Sequence, residues 1–566
     1  MMENIYLQKP WLKFYPPGVY PEIDIPTKSV NELFDEGVEK WGKKVSINFY
    51  GGKITYQELK EKIDRFATAL YDLGLRKGDR VGILLLNSPE HIIALFAVLK
   101  VGAIITPINP MYVSSEIKHQ IENSGSETLI CQDILYEALE KAGLKFKNVI
   151  LSNISESLPK IKKFIGKSIL KGVYEKMSTP SYNIFKREGF YQFQELINKW
   201  PPNPPKVEIN PKEDIAFLPY TGGTTGLPKG VMLTHYNVVA NIFLLNAFYY
   251  QLEEGKESVV AYMPFSHASG QVLTVMRGIP FGHTLGVVTN PDPEDIINVG
   301  VMNKVTWFIG APSLFEILKD YEKTNILNWK KLKIIYCGAD ALHEATAKDW
   351  IRRTGSVLTE MYGMTETTAI THANPVGREK IGSIGIPIPN TLACILDPEE
   401  DKYVPQGENG ELCVSGPQVT KGYWDNPKAT AECETIIDGI RWWRTGDLGH
   451  MDEEGYFYIY DRKRDLIKYK GYRIFAREVE EVIKTHPKVK DVGVIGVPDI
   501  KVGEIPKAYV VLESDARGKV SETEIMEHCK EKLSYYKIPR IVQFVGEIPK
   551  TDVGKVSRRE LREQEI

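Results

Sequence analysis

Apolar positions along the chain follow two rhythms. In ITYQELKEKIDRFATALYDLGL, 54 to 75, they recur every three to four residues, the spacing that gives an α-helix one apolar stripe. The helical periodicity follows Thr55 and Glu58 stands three residues on, so the helix is expected to begin with a reciprocal capping box. RVGILLLN, 80 to 87, is instead a short unbroken apolar run, as in a buried strand. A helix is expected over 89–101, then strands in AIITPIN and SETLICQ. DIAFLPY (214–220), SVVAYMP, VTWFIG and KLKIIYCG continue the pattern. Short apolar runs alternating with longer helices predict an α/β fold of layered sheets. Parallel strands put their binding edge at their carboxyl ends.

From about residue 410 the rhythm shortens. GELCVSG, GYFYIYD and LIKYKGYRI alternate and are punctuated by glycine, as in small antiparallel elements. Beyond 476 the order is α+β: a helix in REVEEVIKTH, strands in VKDVGVIGVP and PKAYVVLE, a helix in SETEIMEHCKEKL and a strand in RIVQFVG. The expected division is a domain over 1–461 and a smaller one over 462–566, bridged by DRKRD at 461–465. Residues 145 to 211 stand apart. They are lysine-rich over 159–176 and end in PPNPP, 201 to 205. The segment reads as an excursion with a stiff proline connector; the alternative is a basic amphipathic surface in peripheral contact with an anionic membrane.

Composition narrows the classes. The 566 residues exceed one ordinary domain, and a hydrophobic content of 43% with 26% charged residues is that of a globular chain. A formal net charge of -3 gives no global attraction to nucleic acid, so any anion site is local. The six cysteines are scattered without a C-x-x-C pair, which argues against a zinc knuckle or disulfide framework and fits a reducing, cytoplasmic setting. No long apolar signal core is read at the start. The most apolar window, 91–108, is interrupted by His91 and Lys100 and reads as a buried helix entering a strand, not a transmembrane segment.

YTGGTTGLPKG, 220 to 230, holds the densest candidate chemistry. It is not a Walker A loop, because Gly226 is followed by Leu227 and Pro228 before Lys229. Glycines permit close backbone approach, and successive N–H groups with the hydroxyls of Thr221, Thr224 and Thr225 suit phosphate oxygens. A ligand-free polar hairpin is the alternative. EMYGMTE, 360 to 366, offers Tyr362, Gly363, Thr365 and Glu366. Glu366 is either a Mg²⁺ ligand beside phosphates or a turn carboxylate, and Tyr362 either faces a base or packs a loop. RWWRTGDLG places Asp447 after a glycine, as an acceptor for ribose hydroxyls or as an Asx turn. DRKRDLIKYKGYR, 461 to 473, is a solvated linker or a hinge whose Arg462, Lys468 or Arg473 reaches a phosphate. PKTDVGKVSR sets Lys555 on a late glycine loop, where a mobile domain could bring it over a phosphate. His267, in FSHASG, has no G-x-S-x-G or H-E-x-x-H context.

In order, TGGTTGLPKG, YGMTE, RTGD, DRKRDLIKYKGYR and PKTDVGK resemble the motif series of the adenylate-forming acyl-CoA synthetase superfamily. The resemblance spans almost the whole chain. It implies a large N-terminal α/β domain with a distorted barrel part and a small mobile C-terminal α+β domain. It also implies acyl-adenylate formation from ATP and a carboxylate, followed by transfer to CoA, with Mg²⁺. By position, the resemblance places Thr221, Gly222, Gly223, Thr224, Thr225, Gly226 and Lys229 on the triphosphate, and Thr365 and Glu366 at phosphate and metal. Gly338, Ala339, Asp340, Tyr362 and Gly363 fall at the adenine wall, Asp447 at ribose and Arg462 at the nucleotide. Arg464 falls at the pivot and Lys555 at the adenylation lysine. Lys468, Gly471 and Tyr472 fall where the rotated domain serves thioester formation. His267, Trp307 and Gly310 fall along the acyl tunnel. Two departures stand out: Gly222 replaces a hydroxyl residue, and Ala476 stands where proline is common.

KPWLKFYP, 9 to 16, and KKFIGK further resemble bacterial and archaeal long-chain fatty-acid CoA ligases. PFSHASGQ and WFIGAPSLF are mostly apolar and hold no evident cation for a second substrate carboxylate. The expected substrate is therefore an aliphatic monocarboxylate, with a short hydroxy acid or an aromatic acid such as 4-coumarate as alternatives. Expected partners are that acid, ATP and CoA, without nucleic acid. The protomer is expected to act as a monomer or homodimer.

Overall fold

A computed structural model describes residues 4–158, 187–221, 228–340, 342–470, 472–499, 501–550 and 556–565. The chain forms two compact units, one of Leu12–Thr391 with Ser415–Glu432, the other of Met1–Trp11, Leu392–Val414 and Cys433–Ile566.

The larger unit is built on three sheets. A seven-stranded sheet runs in the order Leu233–Thr234, Ile215–Phe217, Ile104–Pro107, Arg80–Leu84, Thr128–Gln132, Asn148–Ser152, Phe190–Gln192. All neighbours in it are parallel except the first pair, and Val81 faces Ile105 on one side and Thr128 on the other. A four-stranded sheet joins Ser258–Ala261, Thr284–Val287, Val45–Phe49 and Gly52–Thr55. The third sheet sets Trp307–Gly310, Ile334–Cys337 and Thr359–Tyr362 parallel, then adds His372–Ala373 and Ile386–Pro387 antiparallel.

The expected capping box is present. Thr55 accepts from the Glu58 N–H while Glu58 accepts from the Thr55 N–H, starting helix Tyr56–Asp72. Helix Pro89–Lys100 is buried from Pro89 to Leu99. Its polar residues are built into the core: Glu90 accepts from Ser157 and Gln194, and Lys100 pairs with Asp64 at 2.6 Å. Among the described residues no helix is long and apolar enough to cross a membrane. The lysine-rich stretch 159–176 lies outside the described residues.

In the smaller unit, Leu392–Leu396, Gly410–Ser415, Ile440–Met451 and Glu434–Ile437 form an antiparallel sheet, to which Phe457–Arg462 is added. Register shifts between Glu411 and Cys413 and between Leu448 and Gly449 bend it into a partial barrel. The first residues of the chain belong here: Trp11 is fully buried, edge-on to Phe457, and the Tyr6 hydroxyl donates to the Val404 carbonyl at 3.0 Å. A second sheet orders Tyr472–Ile474, Ile467–Tyr469, Gly503–Leu512 and Val489–Asp499, with Ile541–Phe544 parallel to Gly503–Leu512. Helices Ala476–Lys484 and Glu522–Lys530 close its core through Val479, Ile483 and Ile525. Ala476 is the fully buried first residue of its helix, a position where proline is equally well accommodated. The fold thus combines a large N-terminal α/β part, a partial-barrel sheet and a smaller C-terminal α+β part.

Candidate active site

Three parallel strands of the larger unit end at one edge and carry the site. Gly310 ends the first, Gly338 follows the second, and Tyr362 ends the third. The Gly338 N–H donates to the Gly310 carbonyl at 3.1 Å, tying two of these ends together. Ala339 has φ 73°, a left-handed backbone that a side chain disfavours. Asp340 is exposed and Tyr362 half-buried, its ring 5.9 Å from that of His372. At Gly363 a Cβ would lie 1.4 Å from the Ala369 carbonyl oxygen, so the chain can turn here only with glycine. The turn leads into the single 3-10 turn Thr365–Thr367.

Glu366 is buried and faces the strand that enters the glycine loop. Its Oε1 accepts from the Tyr423 hydroxyl at 2.8 Å and stands 3.5 Å from Thr221 Oγ1. Its carbonyl accepts from the Thr420 N–H at 2.8 Å. Thr221 pairs with Lys229 and Tyr220 with Gly230, so the two flanks of the loop are a hairpin. The Lys229 ammonium lies 5.0 Å from the Tyr423 ring, and His119 Nε2 meets the Pro228 carbonyl at 2.9 Å. The tip, with Gly222, Gly223, Thr224, Thr225 and Gly226, lies outside the described residues.

His267 Nδ1 accepts from the Ser269 N–H at 3.3 Å and meets Ser269 Oγ at 2.8 Å. A nitrogen that accepts carries no proton, so the neutral ring bears its proton on Nε2. Asn87 fixes the loop leading to it: its amide donates to the Tyr262 and Met263 carbonyls at 3.0 and 2.9 Å, and its oxygen accepts from the Phe265 N–H at 2.9 Å.

Within the smaller unit, Asp447 is buried and faces Arg462 across antiparallel strands, with Arg462 Nε 2.6 Å from Asp447 Oδ1. Gly446, before it, has φ 73°. The bridge residues Asp461 and Asp465 are anchored: Arg558 reaches them at 3.4 and 3.3 Å and Glu480 at 2.7 Å, and Arg562 reaches Asp465 at 2.7 Å. Lys468 is exposed, 3.7 Å from Glu399. Gly471, Lys555 and the side chains of Arg464 and Tyr472 lie outside the described residues. Among the described residues no group of three or more His, Cys, Asp or Glu side chains could hold a metal ion. A Mg²⁺ that takes most of its oxygens from water and phosphate needs only one or two carboxylates, and Glu366 beside Thr221 meets that requirement.

Sequence reasoning brought Thr221 and Glu366 to one site and missed Tyr423, Asn87 and Arg558. Each acts from a segment distant in the chain, 57 residues away for Tyr423 and Glu366, and none carries a local pattern. The doubled aromatic in KGYWDNP was the one available signal for Tyr423.

Known proteins share this architecture. The family model for AMP-binding enzymes matches residues 34–424, and that for their C-terminal domain matches 478–555. A long-chain-fatty-acid–CoA ligase of Bacillus subtilis (strain 168) is 35% identical over 562 residues, covering 99% of this chain and 98% of that one. A probable 4-coumarate–CoA ligase of Dictyostelium discoideum is 30% identical, covering 96% of each. Among solved structures, ATP-bound MatB from Rhodopseudomonas palustris superposes with a TM-score of 0.80 at 26% identity, covering 95% of this chain and 99% of that chain. The o-succinylbenzoate coenzyme A synthetase of Bacillus subtilis in complex with AMP gives a TM-score of 0.74 at 26% identity, covering 94% and 98%.

Proposed function

Because the chain belongs to the AMP-binding, adenylate-forming acyl-CoA synthetase superfamily and is an AMP-forming acyl-adenylate ligase, we propose that it joins an aliphatic medium- or long-chain carboxylic acid to CoA. The acid's carboxylate attacks the α-phosphorus of ATP, forming the acyl-adenylate and releasing pyrophosphate. The CoA thiol then attacks the acyl carbon and AMP leaves. The observation that carries the reading is the meeting of Thr221 and Glu366 at the edge where Gly310, Gly338 and Tyr362 also end.

In this reading the hairpin from Thr221 to Lys229 holds the triphosphate, and Gly338 to Asp340 with Tyr362 and Gly363 line the adenine. Glu366 would hold Mg²⁺, which supplies neutralisation of phosphate charge when bound, and Thr365 donates to a phosphate oxygen. Asp447 takes the ribose hydroxyls and Arg462 the nucleotide. Lys555 stabilises the charge developing at the α-phosphorus. Residues 462–566 turn about 461–465, with Arg464 at the pivot, so that Lys468, Gly471 and Tyr472 serve thioester formation. His267, Trp307 and Gly310 border the acyl chain.

The aliphatic preference is supported by the buried apolar run Val272–Met276 and strand Trp307–Gly310, together with the Bacillus subtilis relative. The Dictyostelium relative keeps an aromatic acid as the second reading. All six cysteines are thiols, which supports a cytoplasmic location.

The test is product formation across carboxylates of two to eighteen carbons, with 4-hydroxybutyrate and 4-coumarate included and pyrophosphate and acyl-CoA read separately. A peak among aliphatic chains is expected. Pyrophosphate without acyl-CoA would redirect the second step to another acceptor. Lys555→Ala should slow pyrophosphate release about 100- to 1000-fold, while Lys468→Ala should slow transfer from pre-formed adenylate more than it slows adenylation.

A further inference from the structure

The hairpin that flanks the glycine loop is slight. Its strands, Tyr220–Thr221 and Lys229–Gly230, hold 2 residues each and, among the described residues, pair as strands only with one another. Two such strands are marginal by themselves. Their base is tied down: the Val231 N–H donates to the Pro219 carbonyl and the Trp424 N–H to the Gly230 carbonyl, both at 2.8 Å.

The end nearer the loop is held from helix Ser114–Ser124. Ile117, Gln120, Ile121 and Ser124 form the buried face of that helix. Ile117 and Ile121 pack in one core with Leu84 and Leu129, and the Gln120 amide donates to the Pro107 carbonyl at 2.7 Å. Arg80 Nε donates to the Ser124 carbonyl at 2.7 Å, and Gly125, at φ 64°, ends the helix. So anchored, the helix turns His119 and Asn123, four residues apart and therefore on one face, toward the hairpin. His119 Nε2 meets the Pro228 carbonyl at 2.9 Å. A carbonyl only accepts, so Nε2 carries a proton, as it does in one neutral tautomer and in the imidazolium. Asn123 Oδ1 accepts from the Tyr220 hydroxyl at 2.6 Å. Burial raises the Tyr220 phenol above its ordinary value, which keeps it a donor. The His119 ring stands edge-on to the Tyr220 ring, 6.4 Å away. One helix face thus grips both the strand that enters the loop and the residue that leads out of it.

We propose that His119 and Asn123 are positioning residues for the triphosphate. They hold the two flanks of the hairpin in place before ATP arrives, so that binding does not have to order them. The inference rests on the reading above that this hairpin holds the triphosphate, and it adds the residues that set the hairpin's geometry. AMP lacks the β- and γ-phosphates and draws little on the hairpin. Loss of the grip should therefore separate the two nucleotides, whereas a general loosening of the fold would weaken both.

The full-length enzyme is titrated calorimetrically with ATP and with AMP, each with Mg²⁺. His119→Phe keeps a ring against Tyr220 and removes the donor. It should raise Kd for ATP about three- to tenfold and leave Kd for AMP unchanged. His119→Gln, which supplies an amide N–H in place of the imidazole, should restore most of the ATP affinity. Tyr220→Phe removes only the hydroxyl and should act in the same direction with a smaller effect. In turnover the loss should appear as a higher KM for ATP in pyrophosphate release, with transfer from pre-formed acyl-adenylate to CoA unchanged. His119→Phe decides where it folds; where it does not, Tyr220→Phe decides. Parental ATP affinity in the deciding variant, equal weakening of ATP and AMP, or a Gln variant no tighter than the Phe variant overturns the proposal while the ligase reading stands. An enzyme that shows the split between nucleotides but releases no pyrophosphate with any carboxylic acid would instead defeat the ligase reading and leave the grip standing. A parent that binds no ATP would defeat both.

Discussion

Carboxylates are held in two ways in this molecule. In the larger unit Glu366 meets hydroxyls, Tyr423 at 2.8 Å and Thr221 at 3.5 Å. In the smaller unit Asp461, Asp465 and Glu480 converge on the guanidinium of Arg558. A hydroxyl orients a carboxylate and keeps its charge, whereas a guanidinium neutralises it and locks the segments that carry it. The contrast separates a side chain placed for a reaction from side chains placed to hold a fold, although all four are acidic and buried.

Removing Arg558 gives the largest expected effect. Arg558→Met leaves Asp461 and Glu480 buried without their cation, while Asp465 keeps Arg562, a loss of about 3–5 kcal/mol. Burial already raises Asp461 and Glu480 above the ordinary carboxylate range, with Arg558 opposing the rise. Without it they rise further. A carboxyl raised in the folded state binds its proton more tightly folded than unfolded. Its stabilising contribution is therefore full below the ordinary carboxylate pKa and is lost as pH climbs through the raised folded value. The Tm deficit of the variant against the parent should be greatest at neutral pH and shrink on acidification. A deficit that does not change with pH would mean that Arg558 acts by packing alone.

Glu366→Gln probes the other arrangement. The amide oxygen still accepts from Tyr423, so Tm should stay within a few degrees. The lost charge should slow adenylation by about 2.7–4 kcal/mol, or roughly 100- to 1000-fold, with a higher Mg²⁺ requirement in pyrophosphate release. A large fall in Tm with only a small loss of rate would place Glu366 among the structural carboxylates.

The same contrast explains what could be read beforehand. Strands such as Arg80–Leu84, Ile104–Pro107, Trp307–Gly310 and Ile334–Cys337 were legible because a buried parallel strand is a bare apolar run, whereas Asn148–Ser152 and Thr359–Tyr362 were not read as strands. Thr55 with Glu58 was legible because a cap is local. The small antiparallel elements beyond 410 were visible as alternation, but their partners were not. Nothing in the sequence says that Trp11 packs on Phe457 or that strand Leu392–Leu396 joins that sheet. The residues of the candidate site were legible where a turn demands a particular type, as at Gly363, or where a motif names it. Tyr423, Asn87 and Arg558 were not, because they act across long chain separations on groups that only the fold brings near.

The smallest expected effect is at Tyr423, and it is the most exacting test of the comparison. Tyr423→Phe keeps the ring that the Lys229 ammonium faces at 5.0 Å, and so keeps that cation–π contact. It removes only the hydroxyl that donates to Glu366. The Glu366 main chain stays tied through the Thr420 N–H, and Thr221 still stands beside the carboxylate. If the hydroxyl merely orients Glu366, its loss should cost about 1.5 kcal/mol, roughly tenfold in the adenylation rate. Transfer from pre-formed acyl-adenylate to CoA should then be unchanged, and so should Tm. A rate loss as large as that of Glu366→Gln would show that the phenol itself contributes to the reaction. A large fall in Tm with the rate intact would mean that Tyr423 and Glu366 form a structural pair, like the carboxylates around Arg558.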